Sequence, residues 1–215
     1  MRKILVLVLI LGLWEMSFGI GATDIALKKI GYIKNETYLN EYFNIAIKLA
    51  TDGVIQDEET KKMVMDMGES VIGENNENLK ALLAASKQKS FNLLYISKYE
   101  LGAAVDFNPS LICIAEDVSA FKGIKTGEDY IFNTRKILNA ANMGYVIEDK
   151  ISSKNINGIN LSLMKASIDT GINTVTQDYY SIIINRYAVS VVLSYTNEEE
   201  KLYLEKMLNS LKKIK

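Results

Sequence analysis

The sequence predicts an α+β fold, an antiparallel β-sheet with helices on both faces in an α/β/α sandwich. Three observations predict it. Near the C-terminus, four strand-like segments follow one another with only tight turns between them, and strands joined that way pair antiparallel. Three stretches carry apolar residues at helical spacing, and such stripes must bury against something. The order of these segments is β-β-α-β-β-α-β-β-β-β-α, with no repeat, low-complexity tract or Pro/Gly/Ser-rich linker to divide it.

The chain opens on Arg2 and Lys3, followed by an apolar run from Ile4 to Leu13 and then Trp14. Basic, apolar and small residues in that order mark a secretory leader, and the run is shorter than the ~20 residues that span a bilayer. Small residues at Gly19, Gly21 and Ala22 offer three places to cut. The predicted division is therefore a signal peptide over 1–22 and one domain over 23–215. An uncleaved anchor or a buried first element are the alternatives. The leader contains no cysteine, so a lipid tether through that residue type is not expected.

The first elements are strands over Gly31–Asn35 and Glu41–Leu49, the second with Phe43, Ile45, Ile47 and Leu49 on one face. A two-part helical insert follows, over Asp57–Val71 and Asn75–Lys89, broken at Gly73. Phe91–Lys98 and Leu111–Ser119 are rich in β-formers and bracket the turn Asp106-Phe107-Asn108-Pro109. Thr126-Gly127-Glu128-Asp129 reads as a capping box, opening a helix that runs to Met143 with Gly144 as its stop. The four strands are Tyr145–Ser152, Gly158–Ile168, Thr174–Asn185 and Tyr187–Tyr195, with turns at Asn157-Gly158, Asp169-Thr170-Gly171 and Asn185-Arg186. The last helix begins near Asn197, with Glu198-Glu199-Glu200 at its positive end and Lys212-Lys213 at its negative end.

This order, and several segments, resemble the PsbP-like family of exported domains, which includes PsbP and DcrB-type envelope proteins. Tyr38-Leu39-Asn40-Glu41-Tyr42-Phe43-Asn44-Ile45 is similar to the family's opening strand, and residues 108–116 to its central strand. Tyr179–Tyr195 with Glu198–Leu211 is similar to its last hairpin and helix. The resemblance implies helices on both sides of an antiparallel sheet, and it implies no reaction. It carries over no metal site, because those of the family involve histidine and this chain has none.

Composition narrows the chemistry. The formal net charge is −1, and setting aside the leader shifts it by a single unit. A nucleic-acid partner needs a basic footprint, so none is expected. The absence of histidine removes the Ser-His-Asp and Cys-His triads and the usual general base. Cys113 is the sole cysteine and lies in an apolar run, where a buried inert thiol is expected. Ser86-x-x-Lys89, Ser90-x-Asn92 and Lys125-Thr126-Gly127 follow the order of the penicillin-binding serine enzymes, but the first two elements abut instead of lying in separate segments. Met63, Met65 and Met67 suggest Cu(I), yet Met65 points away from the other two on a helix. Glu116-Asp117 and Glu198-Glu199-Glu200 lack a calcium loop around them.

The remaining unusual feature is twelve tyrosines, of which Tyr179, Tyr180, Tyr187 and Tyr195 gather in the last hairpin. Tyrosine is favoured at interfaces, so these four are the candidate interaction surface. The expectation is an exported, non-enzymatic binding or accessory protein of the envelope, engaging another protein, with no catalytic, metal or cofactor residue assigned. The membrane enters only through the leader during export. A small-ligand or lipid carrier, with an apolar cleft between sheet and insert, is the alternative, and a histidine-free hydrolase is a remote one.

Overall fold

The computed structural model describes residues 30–64 and 90–214. The leader lies outside these residues. So does the insert beyond residue 64, including Met65, Met67 and the Ser86-x-x-Lys89 element. Residues 58–64 are helical. No helix among the described residues is long and apolar enough to cross a membrane.

The architecture is α+β with antiparallel pairing throughout. A small sheet has the order β1 (Tyr32–Lys34), β2 (Thr37–Asn40), β3 (Ile45–Lys48) and β12 (Lys212–Lys213). A large sheet contains β4 (Val54–Ile55), β5 (Ser90–Ser97), β6 (Ser110–Asp117), β7 (Val146–Ile147), β8 (Ser152–Ile156), β9 (Ile159–Asp169), β10 (Thr174–Ile184) and β11 (Tyr187–Tyr195). Its order is β4-β5-β6-β11-β10-β9-β7, and β8 also pairs with β9. Besides the helical residues 58–64, the described helices are α1 (Gly127–Ala140) and α2 (Glu198–Leu208).

The period of two along the strands sorts the core into two clusters. On one face, Leu94, Cys113, Val191, Leu193 and Tyr180 pack with Leu204, Met207 and Leu208 of α2 and with Ile45 and Ile47 of the small sheet. On the other, Ile112, Ile114, Met164, Tyr179 and Val192 pack with Ile131, Ile137 and Leu138 of α1. β11 lies centrally and is buried at all nine positions. Each fully buried aliphatic side chain contributes roughly 1.5–3 kcal/mol, so these clusters are the main stabilising term. Cys113 is buried in the first, and burial pushes its thiol up to about 12.

Local sequence explains the helix starts. Thr126 Oγ1 accepts from Asp129 N–H at 3.1 Å, and Asp129 accepts from Thr126 N–H at 2.9 Å, closing the capping box. Asn197 caps α2 by accepting from Glu200 N–H at 3.0 Å. Gly127 sits against β10, where an added Cβ would come within 2.2 Å of the Ser181 carbonyl oxygen. Glycine is what lets α1 approach the sheet there.

Four sequence expectations are corrected. Glu41–Leu49 is not one strand, since residues 41–44 turn between β2 and β3. Buried Asn40 accepts from Phe43 N–H at 3.0 Å, and Asn44 takes φ 55°, so asparagine chemistry overrides the alternating pattern. The predicted strand Tyr145–Ser152 holds only β7 and the first residue of β8. Glu148 N–H still bonds the Lys165 carbonyl at 2.9 Å, and residues 149–151 then leave the sheet before β8 runs on to Ile156. Helix α1 ends at Ala140, before Met143, because Asn142 already adopts the left-handed conformation at φ 50°. Lys212 and Lys213 do not end α2. They form β12, paired with Ala46 and Ile45 of β3.

Candidate functional site

The four hairpin tyrosines do not form a surface. Tyr179, Tyr180, Tyr187 and Tyr195 retain only 4, 1, 7 and 7% of their exposure. Tyr179 and Tyr180 point to opposite faces, and both faces are covered. Each ring has a structural partner. Tyr179 donates to Gln177 Oε1 at 2.8 Å, as does Tyr145 at 3.0 Å. Gln177 in turn donates to Ser194 Oγ at 3.1 Å. Tyr187 packs edge-on against Phe43 with centroids 5.4 Å apart. Burial, ahead of neighbouring charges, pushes the phenols of Tyr179, Tyr180 and Tyr195 above their usual range.

The other sequence candidates are likewise occupied. Glu116 is buried and accepts from Tyr130 Oη at 2.7 Å, while Asp117 caps Ser119 N–H at 2.8 Å. Glu198 pairs with Lys201 at 3.0 Å, and Glu200 accepts from Thr196 N–H at 2.7 Å. Thr126 and Gly127 serve the start of α1. Among the described residues no group of three or more acidic, cysteine or histidine side chains is placed to hold a metal.

A polar seam beneath α2 was not foreseen. Asp178 is 1% exposed, and its Oδ1 accepts from Tyr195 Oη at 3.2 Å. Its Oδ2 has no hydrogen-bond partner among the described residues. Burial pushes this carboxyl up, against the pull of Lys165, the Tyr195 bond and Lys201, while Glu205 adds to the rise. Nearby, Lys154 bridges to Glu205 at 2.9 Å and lies 5.5 Å from the Tyr180 ring centroid, tying β8 to α2. One acid within a run of buried strand residues is the signal that marks Asp178 in the sequence.

One open feature among the described residues is a groove of about 610 Å³. Its walls are residues 158–160 of the β8–β9 turn and residues 182–185 at the end of β10. Phe43, Asn44, Ile45 and Lys213 of the small-sheet side form its floor. The groove exists because β9 parts from β10. Their ladder stops at Ser162 paired with Ser181, and beyond that point β9 pairs only with β8.

The two flanking hairpins settle how the main chain points there. Asn157 and Gly158, like Asn185 and Arg186, have positive φ, the geometry of two-residue type I′ turns. In such a hairpin the flanking residues exchange both hydrogen bonds, and pairing then alternates. Ile184 and Tyr187 flank one turn, so Ile183 turns its N–H and C=O away from β11 and into the groove. Ile156 and Ile159 flank the other, so Asn160 turns its N–H and C=O away from β8 and towards Ile183. Asn160 with Ile183 would be the next hydrogen-bonded pair of the β9–β10 ladder, and the splay leaves that place vacant. The chemistry on offer is aliphatic side chains interleaved with Asn44, Asn160 and Asn185, two backbone donors and two backbone acceptors, and Lys213. None of the lining residues is acidic.

No family model matches the chain, and no curated protein matches it, so the PsbP-like resemblance gains no support from either. Several solved structures are similar in part, among them two with these measures. One is protein PA94, of unknown function, from Pseudomonas aeruginosa, at 15% identity and TM-score 0.38, over 52% of this chain and 72% of that one. The other is LpqN, described as involved in cell envelope biogenesis of Mycobacterium tuberculosis, at 14% identity and TM-score 0.36, over 77% and 78% of the two chains. Likenesses this weak carry no argument about this chain's fold or activity.

Proposed function

We propose that the chain is an exported, non-enzymatic accessory protein of the cell envelope that engages another protein. The observation behind this reading is the groove beside Ile183, where aliphatic side chains meet main-chain groups that the sheet leaves over. The leader-like start and the lack of histidine, which removes the commonest acid–base catalyst, support it. A photo-crosslinking residue placed at Ile183, in extract of the source cell envelope, tests it. A discrete protein adduct from that position, absent when the probe sits at exposed Val146, is the expected result. No adduct, or the same adducts from both positions, overturns it. The aliphatic side chains of the lining with Lys213 also suit an amphiphile, and a co-purifying small molecule in native mass spectra favours that second reading.

A further inference from the structure

We infer that the groove takes an extended peptide strand, which enters the vacant place between β9 and β10 and presents a carboxylate to Lys213. This deepens the proposed protein-binding role and rests on it.

Ile183 and Asn160 each aim a backbone N–H and C=O into the same gap. Asn160 is exposed and Ile183 half-buried, so water reaches these groups in the open groove. An occupant that shuts that water out must match them or leave them unsatisfied at a cost. An extended peptide supplies donors and acceptors at the strand repeat and can pair with both walls, as in other cases of strand addition. It would run antiparallel to β10 and so parallel to β9.

The side chains then select. Ile182 and Ile184 lie on the face towards the small sheet, with Phe43 and Ile45 below. Alternate residues of an inserted strand would rest on that floor, so aliphatic or β-branched residues at every second position fit. Lys213 is the charged residue of the lining, and exposed Lys212 precedes it on β12. An acidic residue or a terminal carboxylate at one end of the peptide complements them. A fatty acid would satisfy the lysine and the aliphatic side chains, but it would leave the four main-chain groups unmatched.

The test pans a random short-peptide library on the full chain, then follows amide exchange with and without the selected peptides. Enriched peptides should alternate aliphatic residues and end in an acid. They should slow exchange of the Ile183 and Asn160 amides about ten-fold or more. Lys213→Glu should weaken them about ten-fold, a loss of ~1.4 kcal/mol, and acid-to-lysine peptides should recover binding to that variant. Ile183→Pro removes one inward N–H and should also weaken binding. Lys213→Glu is a surface change that keeps the test valid if the proline variant does not fold. The inference is overturned if no peptide enriches, if protection falls elsewhere, or if dodecanoate or a second copy of the chain gives the same protection. Should the Ile183 crosslink to an envelope protein persist through such a failure, strand entry alone is wrong. Loss of both removes the binding role as well.

Discussion

Replacing Asp178 with asparagine should stabilise this protein, against the usual effect of a core substitution. Asp178 is buried under α2 with one oxygen bonded to Tyr195 and the other unpartnered among the described residues. A neutral buried polar group left unsatisfied costs about 1–3 kcal/mol, and a charged one costs more. The asparagine amide in place of Oδ2 stays unsatisfied, so the gain is the difference between the two. The side-chain amide of Asp178→Asn keeps the acceptor for Tyr195 and removes the charge. It also loses the attraction of half-buried Lys165 and Lys201, about 1 kcal/mol. The raised carboxyl shows which side wins, because the folded state already disfavours the charge. The net gain at neutral pH is about 1 kcal/mol. Its pH dependence follows by linkage. The favourable contribution of the protonated carboxyl is fully present below the ordinary value of 3.8 and is lost as pH rises through the raised folded value. Wild type and Asp178→Asn should therefore match in acid and diverge as pH rises. Urea unfolding followed by circular dichroism across that range measures it, provided the slope on denaturant is shared. A variant less stable at neutral pH, or a difference that ignores pH, would contradict this account of the buried charge.

Four other substitutions probe neighbouring contacts. Tyr195→Phe removes the donor to Asp178 and should destabilise by about 1–2 kcal/mol at neutral pH. In the Asp178→Asn background that loss should shrink, and equal losses in both backgrounds would deny the coupling. Gly127→Ala drives a methyl into the Ser181 carbonyl and should cost about 1–3 kcal/mol, read as a lower Tm. Thr126→Ala opens the capping box of α1 and should cost about 1 kcal/mol, with Thr126→Ser restoring most of it. Lys154→Met breaks the bridge to Glu205, and a change in stability beyond about 1 kcal/mol would mean the bridge is more than a surface pair.

The local parts of this fold were legible in the sequence. Asn157-Gly158 and Asn185-Arg186 marked their turns, and Thr126 to Asp129 marked a helix start, because each is settled by neighbours in the chain. The small sheet was not. β12 is two lysines whose pairing with Ile45 and Ala46 comes from the far end of the sequence, and dipole complementarity explains the same residues just as well. The tyrosines show a related limit. Their place in the hairpin was readable, but their exposure depends on α1 and α2 covering both faces. The groove had no local signature beyond the run Ile182-Ile183-Ile184, which breaks the alternation. It arises from β9 changing partners, a choice made between strands and not within one.

The closure of the small sheet sets an order of assembly. Lys48 N–H is held by Ser210 Oγ across 162 positions of sequence, and β12 seals β3 with nearly the last described residues. A chain emerging N-terminus first must hold β1, β2 and β3 unfinished, with Ile45 and Ile47 short of their cover, until α2 and β12 arrive. The large sheet can zip from hairpin to hairpin in the meantime. Loss of a few residues from the C-terminus would therefore be felt at the N-terminal meander first, and such a product would expose apolar surface while most of its strands were already paired.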